Sequence, residues 1–380
     1  MESRTGPHLL DVTMFWSPSG GGVARYLRSK RDWLARRSHW RHTIVAPGPS
    51  TSEKIGIAAP PLPFSDGYRF PIRRAPVARA IVAQKPDLIE AGDPYRCAWA
   101  ALDAGQRLSI PVAAFYHSNV DAMAERWLPA GARALVRRYL RHLFRHYDAV
   151  FAASAWSANA LRDLGLTNVV DQPLGVDCSV FTPAHRDERW RHELGYSDSD
   201  ILLLYAGRFA PEKNLDQLVA AVDRLGAPYT LIAIGDGPRP PSPRSPRVHV
   251  LPYQREPSAL ARALASADLF VHAGDQETFG LAPLEALACG TPAVMRARAG
   301  LIDLIDGDAA IGVERDGATA FAEVIAEVAP KAESLREAAR RRALAFDADV
   351  AFSKLLKQYI ALCRAADIKD AGRFEERYAA

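Results

Sequence analysis

A chain of 380 residues, of which 48% are hydrophobic and 24% charged, is long enough for two domains and has the balance typical of a globular protein. Its four cysteines are scattered without a Cys-x-x-Cys pair, which argues against a zinc site or a disulfide framework and indicates a reducing compartment. The first residues lack the apolar run of a secretory signal, and no stretch approaches the ~18 apolar residues of a membrane span.

The formal net charge of +4 hides a difference between the two halves of the chain. Residues 1–182 carry a net +8 (23 Lys and Arg, 15 Asp and Glu), whereas the remainder carries −4 (25 and 29). A basic first half predicts an anionic acceptor or surface on that side. No nucleic-acid recognition motif accompanies this charge.

Two segments of the first half, residues 25–41 and 133–147, are strongly basic. The second places its apolar residues on one helical stripe, and we expect that stripe to pack on a sheet with its arginines in water. A basic helix with an apolar face can also lie on an anionic membrane leaflet. We therefore keep a membrane surface as a partner, with the first basic segment as the contact.

The first half alternates strands and helices, which indicates an α/β architecture with a parallel sheet. A strand is predicted at 9–16, a tight loop at 17–22 and a helix at 23–37. Further strands are predicted at 42–47, 87–92, 112–117 and 149–154, with Ser154 as the N-cap of the next helix. Residues 171–195 lack periodicity and contain two prolines, so we place the domain linker there.

A second α/β pattern follows the linker. Strands are predicted at 201–207, 229–237, 247–253, 267–274 and 291–297, with a helix at 214–225 and a long last helix near 347–366. We therefore expect an N-terminal Rossmann-like domain at 1–182 and a C-terminal one at 183–362. Residues 363–380 would form the helix end and a tail that frays.

Residues 275–294, DQETFGLAPLEALACGTPAV, place Glu277 and Glu285 eight residues apart. The Phe-Gly turn between them predicts a loop that becomes a helix near residue 282, with Pro283 in its first turn. Glu277 would then lie in the loop and Glu285 on the first turns of the helix. Free N–H groups at this positive helix end would face an anionic ligand, and they belong to Phe279, Gly280 and Leu281.

Two cations flank another predicted strand-to-helix turn, in AGRFAPEKN at 206–214. Arg208 and Lys213 would lie near a helix N-terminus, where they suit a diphosphate because they neutralise the charge that builds on it. Taken alone, a surface arginine and a helix-start lysine are common.

The segment 275–294 resembles the E-x7-E signature of retaining nucleotide-sugar glycosyltransferases, specifically glycosyltransferase family 4. Residues 206–214 match the family's G-R-x-x-x-x-K-N pattern. The resemblance implies the GT-B fold, in which two Rossmann-like domains face each other across a ligand cleft and the C-terminal helix packs back toward the first domain. It also implies retaining transfer of a hexose from a GDP- or UDP-hexose to an alcohol acceptor, such as a glycolipid or cell-envelope saccharide, without a metal or another cofactor.

The resemblance also implies roles for individual residues. Arg208 and Lys213 would contact the donor diphosphate and Glu277 the donor sugar. Glu285 would accept hydrogen bonds from the ribose hydroxyls, for which an acceptor-only carboxylate is suited. Solvated helix glutamates are the competing interpretation.

Several further positions match the family less specifically. Gly20, Gly21 and Gly22 would approach the donor phosphates, although a tight turn also needs glycine. His117 follows the strand in FYHSN, where the family commonly places a histidine that faces the donor sugar; a pKa near neutrality would leave both protonation states accessible. Weaker candidates are Asp93, whose alternative role is turn formation, Asn119 and Asp121.

The turn IGDGP at 234–238 resembles a strand-end turn of the family. Gly235 and Asp236 would line the nucleoside pocket, but a plain turn explains them equally well. The Asp-Ser-Asp at 198–200 looks like a metal-binding pattern but precedes a strand. It would therefore lie at the sheet end away from the cleft, and we expect no metal.

Two other classes remain as alternatives to a glycosyltransferase. A non-catalytic GT-B protein that binds a sugar nucleotide or a partner enzyme would not need all four of Arg208, Lys213, Glu277 and Glu285. A phosphorylase or epimerase would show a different set of residues. The sequence leaves the donor base, the sugar and the acceptor open, and it predicts a cytoplasmic location, peripheral on the membrane if the basic surface binds lipid.

Overall fold

The computed structural model describes residues 6–17, 21–63, 65, 67–120, 131–241 and 245–378, with side chains up to residue 368. The chain forms two compact units. Unit 1 comprises Met1–Pro173 and Ala351–Ala380, and unit 2 comprises Leu174–Val350.

In the described part of unit 1, seven strands form one parallel sheet in the order β3-β2-β1-β4-β5-β6-β7. The strands are β1 (His8–Val12), β2 (Arg41–Pro47), β3 (Ile55–Ile57), β4 (Leu88–Ala91), β5 (Val112–Tyr116), β6 (Ala149–Ala152) and β7 (Val169–Asp171). The helices are α1 (Gly22–Arg37), α2 (Arg74–Gln84), α3 (Arg96–Leu108), α4 (Ala132–Phe144) and α5 (Ala155–Arg162).

The strands of unit 1 are short apolar runs because helices cover the sheet. β1, β4, β5 and β6 are buried along their whole length. The predicted N-cap at Ser154 is confirmed, since its hydroxyl accepts a hydrogen bond from the Ser157 N–H at 3.0 Å. The strand order changes direction between β1 and β4, which is the topological switch point of a doubly wound sheet.

Unit 2 repeats this plan. Its described residues form a parallel sheet of six strands in the order β10-β9-β8-β11-β12-β13. The strands are β8 (Ile201–Ala206), β9 (Tyr229–Ile234), β10 (Val248–Leu251), β11 (Leu269–His272), β12 (Ala293–Arg296) and β13 (Ala310–Val313). The helices are α6 (Glu188–Glu193), α7 (Leu215–Leu225), α8 (Pro257–Ser266), α9 (Leu281–Ala288), α10 (Ala318–Val328) and α11 (Ala332–Leu344).

The last helix, α12 (Ala348–Tyr378), continues past the predicted end near residue 366. Most of it belongs to unit 1, where the Phe352 ring packs 5.7 Å from the Tyr26 ring and 5.8 Å from the Trp33 ring. The prediction that the C-terminal helix returns to the first domain is confirmed. None of the described helices is long and apolar enough to cross a membrane.

The two units divide after Pro173 and Val350, earlier than the predicted boundaries after 182 and 362. The residues after Pro173 pack within unit 2. The Val176 N–H donates to the Phe346 carbonyl at 3.0 Å, and the Arg340 guanidinium donates to the Phe181 carbonyl at 2.7 Å. The predicted aperiodic linker at 171–195 also contains α6, which its short length conceals in the sequence.

Candidate functional site

The candidate donor site lies in unit 2, at the carboxyl ends of β8, β9 and β11. Arg208 and Lys213 follow β8, Gly235 follows β9, and Glu277 follows β11. β8 and β11 are neighbours in the sheet, and the strand order changes direction between them. Ligands of doubly wound sheets bind at such switch points. The fold therefore brings these predicted residues to one edge of the sheet.

Lys213 and Glu277 form a direct ion pair. The Lys213 ammonium donates to Glu277 Oε1, and His272 Nε2 lies 3.0 Å from the same oxygen. Burial raises the pKa of Glu277, but the Lys213 charge and the His272 hydrogen bond outweigh it and hold the pKa well below its usual range. Glu277 is therefore ionised at neutral pH. His272 was not among the predicted residues, although its place at the end of β11 could have indicated it.

Arg208 also has a partner within unit 2. Its Nη2 lies 2.7 Å from Glu212 Oε1, in an i,i+4 pair that is partly exposed. The Tyr205 hydroxyl donates to the Arg208 carbonyl at 3.0 Å, which fixes the backbone of this loop. Asn214 adopts the left-handed conformation (φ 51°), and its side-chain amide donates to the Ala273 carbonyl at 3.1 Å. The loops after β8 and β11 are thus tied together.

Gly235 lies where the loops after β8 and β9 touch. A Cβ at this position would come 2.0 Å from the Gly207 carbonyl oxygen, so only glycine permits the contact. The Phe209 N–H donates to the Asp236 carbonyl at 2.8 Å, and the Asp236 carboxylate accepts from the Gly237 N–H at 2.7 Å. Both residues therefore form the turn, and their contact with a nucleoside stays a prediction.

The loop and helix predicted around the two glutamates are confirmed. Gly280 has φ 111°, α9 begins at Leu281, and Pro283 lies in its first turn. The N–H groups of that turn have no acceptor within the helix and suit an anion. Phe279 is buried, with its ring 5.5 Å from the Phe346 ring. Glu285 lies on the helix and is only 2% exposed.

The predicted residues of unit 1 follow β1, β4 and β5. Gly21 has φ 129° and immediately precedes α1, and a Cβ there would come 3.0 Å from the Tyr68 hydroxyl. A Cβ on Gly22 would meet no atom of the described residues within 4 Å. Gly20 lies outside the described residues.

His117 follows β5 and stacks on the Phe115 ring, with centroids 4.4 Å apart. The Tyr26 ring meets it edge-on at 5.1 Å. Burial lowers the pKa of His117 to about 3, and the charge of Lys30 adds to the effect. The expectation of a pKa near neutrality was wrong, because a packed aromatic site destabilises the imidazolium. At neutral pH, His117 is an uncharged imidazole.

One of the weaker candidates of unit 1, Asp93, has structural contacts. Asp93 is buried, and its two carboxylate oxygens accept from the Met14 N–H at 2.7 Å and the Tyr95 N–H at 2.9 Å. Burial raises its pKa to about 6. These contacts agree with the turn-forming interpretation. Asn119 is buried, and Asp121 lies outside the described residues.

A buried charge cluster beneath α1 was not predicted from the sequence. The Lys30 ammonium lies 2.8 Å from Asp11 and 2.7 Å from Glu90, and the Asp11 carboxylate also contacts His42. The Tyr359 hydroxyl, on α12, donates to Glu90 at 2.6 Å. Burial favours a higher pKa for Asp11, but the charges of Lys30 and His42 outweigh burial and lower the pKa of Asp11. For Glu90 burial is the larger effect and raises the pKa to about 7.

The Asp-Ser-Asp pattern lies before β8, at the amino end of the sheet, as predicted. Asp200 accepts hydrogen bonds from the Ser197 N–H at 2.8 Å and hydroxyl at 2.7 Å, which caps a local turn. Among the described residues, no group of three or more His, Cys, Asp and Glu side chains is arranged to hold a metal ion.

The two basic segments differ in what they expose. In the first, Lys30 and Trp33 are buried, and Arg28 pairs with Glu53 at 2.7 Å. In the second, α4 buries the later part of its apolar stripe but leaves Leu135 68% exposed. The expected packing of this stripe is therefore observed from Val136 onward, since Val136 and Tyr139 pack against the core of unit 1, and Leu135 is the exception.

Two protein-family models match the sequence. The model described as Glycosyltransferase Family 4 matches residues 20–197, and the model described as Glycosyl transferases group 1 matches residues 200–330. The first therefore covers nearly all of unit 1 before α12, and the second covers the β8–α10 region.

Relatives of known activity match most of the chain. The GDP-mannose-dependent alpha-(1-6)-phosphatidylinositol dimannoside mannosyltransferase of Mycobacterium tuberculosis is 29% identical over 359 residues, which cover 89% of this chain and 92% of that protein. A GDP-mannose-dependent alpha-mannosyltransferase of the same species is 30% identical over 320 residues, which cover 79% of this chain and 82% of that protein.

Solved structures match the fold. Anabaena HepE in complex with UDP and glucose has a TM-score of 0.73 at 15% identity and covers 93% of this chain and 100% of its own. Sucrose-phosphate synthase from Thermosynechococcus elongatus has a TM-score of 0.75 at 19% identity, with coverages of 94% and 100%. Fold and matches together define a glycosyltransferase of the GT-B class. The chain belongs to glycosyltransferase family 4, and it is a hexosyltransferase that uses a nucleotide-sugar donor.

Proposed function

We propose that this hexosyltransferase takes mannose from GDP-mannose and transfers it, with retention, to a hydroxyl group of a sugar-bearing acceptor lipid. The observation that carries the donor assignment is the 29% identity over 89% of the chain to a GDP-mannose-dependent mannosyltransferase. A second such relative is 30% identical and matches 79% of the chain. The long alignments include both units, on which donor and acceptor choice depend.

The site residues support transfer from a nucleoside diphosphate. Arg208, Lys213 and the first turn of α9 supply positive charge after β8 and β11 for the diphosphate. Glu277, which is ionised, would accept hydrogen bonds from the mannose hydroxyls, and Glu285 from the ribose. No metal is needed in this scheme, because side chains and a helix end stabilise the leaving group.

The chemical step breaks the bond between the anomeric carbon of mannose and the diphosphate oxygen. A bond from the acceptor oxygen to that carbon replaces it, and the acceptor proton passes to the departing diphosphate. The positive side chains stabilise the developing charge on that oxygen. His117, as a neutral imidazole after β5, would hydrogen-bond a sugar hydroxyl without adding charge.

The basic first half supports an anionic acceptor. Residues 1–182 carry a net +8, which favours a phospholipid-linked sugar over a neutral one. Lys30 and Trp33 of the first basic segment are buried, so we assign the membrane contact to the start of α4. Leu135 is exposed there, and the exposed Arg138 lies three residues further, on the same side of the helix. An exposed apolar residue next to a cation suits the surface of an anionic leaflet.

Thermal shifts with GDP, UDP, ADP and their hexose conjugates test the donor assignment. A ligand at ~100 times its dissociation constant adds ~2.7 kcal/mol to the folded state. We expect GDP and GDP-mannose to give the largest shifts, and Arg208→Ala to reduce these shifts to about half or less at the same ligand concentration. Arg315→Ala, which removes an exposed arginine elsewhere in unit 2, is the matched control. A preference for UDP would contradict the donor assignment.

Transfer itself is measured with radiolabelled GDP-mannose and vesicles that contain phosphatidylinositol or phosphatidylcholine with a mannosylated lipid. We expect product in the lipid phase, and more of it on the anionic vesicles. Leu135→Ser should lower the fraction of protein bound to anionic vesicles without changing the thermal shift by GDP. Transfer to free mannose alone, with no lipid product, would contradict the acceptor proposal.

A further inference from the structure

Within the part of the chain that the structure describes, the carboxylate of Glu277 is bonded through one of its two oxygens. Lys213 and His272 both contact Oε1, and among the described residues no side chain or backbone group is bonded to Oε2. The protein therefore occupies one oxygen and leaves the other to accept a hydrogen bond. This asymmetry gives His272 a function that the sequence motifs do not assign.

We infer that His272 is the positioning residue for Glu277, and that its Nε2–H keeps the carboxylate aimed at the donor sugar when Lys213 turns to the diphosphate. The inference rests on the proposed role of Glu277 as the sugar contact. Lys213 serves two anions in that scheme, since its ammonium pairs with Glu277 in the free protein and would meet the phosphates when the donor binds. The N–H of His272 then remains as the hydrogen-bond donor to Glu277.

The geometry of the imidazole supports this role. Glu277 Oε1 is an acceptor, so the Nε2 atom that lies 3.0 Å away carries the proton. Nδ1 is buried and has no hydrogen-bond partner among the described residues, so the bond from Nε2 is the one that ties this ring to its surroundings. The Nε2–H therefore has the direction needed to orient the carboxylate.

Aromatic neighbours fix the plane of the ring. The His272 ring lies parallel to the Tyr205 ring, with centroids 5.7 Å apart and planes 9° apart, and nearly parallel to the Phe270 ring at 6.4 Å and 12°. The ring itself is buried. Rotation of the imidazole away from Glu277 would disturb this packing, so the direction of its N–H is set by the two strands that carry the rings.

Gly274 lies next to the hydrogen bond between the imidazole and the carboxylate, where a side chain would not fit. A Cβ at this position would come 2.7 Å from His272 Nε2 and 3.4 Å from Glu277 Oε1. Any larger residue would therefore push against the hydrogen bond itself. Substitution of Gly274 therefore tests the hydrogen bond between His272 and Glu277 while both of these side chains are kept.

The test compares the dissociation constants of GDP and GDP-mannose by calorimetry. His272→Phe keeps the aromatic packing and removes the N–H, and His272→Gln restores a donor. His249→Phe, the same change on β10 outside the site, is the matched control. For His272→Phe we expect GDP-mannose binding to weaken about tenfold, because a polar contact is lost, with GDP binding changed less than about twofold. His272→Gln should recover most of the loss, and Gly274→Ala should resemble His272→Phe.

Several results would overturn the inference. Equal weakening of GDP and GDP-mannose in His272→Phe would mean that the ring only supports the fold, and unchanged binding of both would mean that Lys213 alone positions Glu277. In each case wild-type affinity for GDP-mannose would leave the proposed function standing. If the wild type binds UDP and a UDP-hexose instead, the same comparison is made with that pair. If it binds no nucleotide or nucleotide sugar, the proposed function fails and the inference fails with it.

Discussion

The ammonium of Lys30 lies 2.7 Å from the carboxylate of Glu90, and each side chain is only 1% exposed. The same ammonium contacts Asp11, so one buried cation serves two carboxylates. Such clusters are held together by strong mutual attraction, but each member depends on the others because an unpaired buried charge is costly. Burial raises the pKa of Glu90 to about 7, because the buried site disfavours the charged form of this carboxyl.

Removal of the cation should therefore destabilise unit 1 strongly. Lys30→Met leaves Asp11 and Glu90 buried without their ammonium, and we expect a loss of about 3–5 kcal/mol in the free energy of unfolding. Urea unfolding at pH 7.5 measures it. Lys357→Met, at an exposed position of α12, should change stability by less than about 0.5 kcal/mol. If Lys30→Met lowered the free energy of unfolding by less than about 1 kcal/mol, the two carboxylates would not depend on the ammonium as described.

The hydroxyl of Tyr359 should anchor α12 to unit 1. It donates to Glu90 at 2.6 Å and lies 3.2 Å from Lys30. Tyr359→Phe keeps the ring and removes that bond, so we expect a loss of about 1–2 kcal/mol and faster hydrogen exchange in α12. Tyr196→Phe, whose hydroxyl makes only a 3.5 Å contact with His249, serves for comparison. Unaltered exchange in α12 would show that ring packing alone holds the helix.

His117 should make the protein less stable in acid. Its pKa is about 3 in the folded protein against 6.5 for the free group, so below pH 6.5 the unfolded chain takes up a proton that the folded chain does not. The stability cost grows as the pH falls toward 3, and at pH 4.5 it is about 2–3 kcal/mol. His117→Gln should narrow the difference in unfolding free energy between pH 7 and pH 4.5 by that amount.

The pH test needs a reference, because other histidines titrate in the same window. Burial also lowers the pKa of His8 and His42, so part of the acid sensitivity should persist in His117→Gln. Thr167→Gln, at an exposed position, changes no titratable group and should leave the pH dependence as in the wild type. If both substitutions behave alike, the His117 imidazole is not held neutral by its surroundings.

Glu212 should restrain the binding of the diphosphate. Its carboxylate holds the Arg208 guanidinium at 2.7 Å in a partly exposed pair, and such pairs add little to stability. Glu212→Gln should therefore leave unfolding nearly unchanged and bind GDP as tightly as the wild type or more tightly. Arg208→Ala should weaken GDP binding by about tenfold to a hundredfold, as expected for charge-assisted hydrogen bonds. Calorimetry that finds both variants equally weak would assign Glu212 itself to the site.

Local patterns in the sequence predicted much of the fold. Buried strands such as β5 and β11 read as apolar runs, and the start of α9 is marked by Gly280 and Pro283 within a few residues. The loop positions of Lys213 and Glu277 after strands were also predicted and are observed. Features that depend on adjacent elements were therefore accessible, whereas the pairing of these two side chains depends on the sheet order of β8 and β11, which was not predicted.

Features that depend on distant parts of the chain could not be predicted from the sequence. Lys30 and Tyr359 are far apart in sequence, and nothing near either residue indicates that they meet. The division after Pro173 depends on contacts between the next residues and Arg340, which no local pattern records. The low pKa of His117 results from burial among the rings of Phe115 and Tyr26. Phe115 is two residues away in the sequence, whereas Tyr26 is distant and could not be assigned to this site.

Unit 1 is assembled from two separate stretches of polypeptide, whereas unit 2 is continuous. During translation, all of unit 2 therefore emerges from the ribosome before α12 can complete unit 1. Until then Tyr26, Trp33 and Glu90 lack the Phe352 and Tyr359 side chains that cover them in the finished protein. A nascent chain stalled before residue 351 would expose this surface, and at that stage we expect chaperone binding and protease sensitivity to be greatest in unit 1.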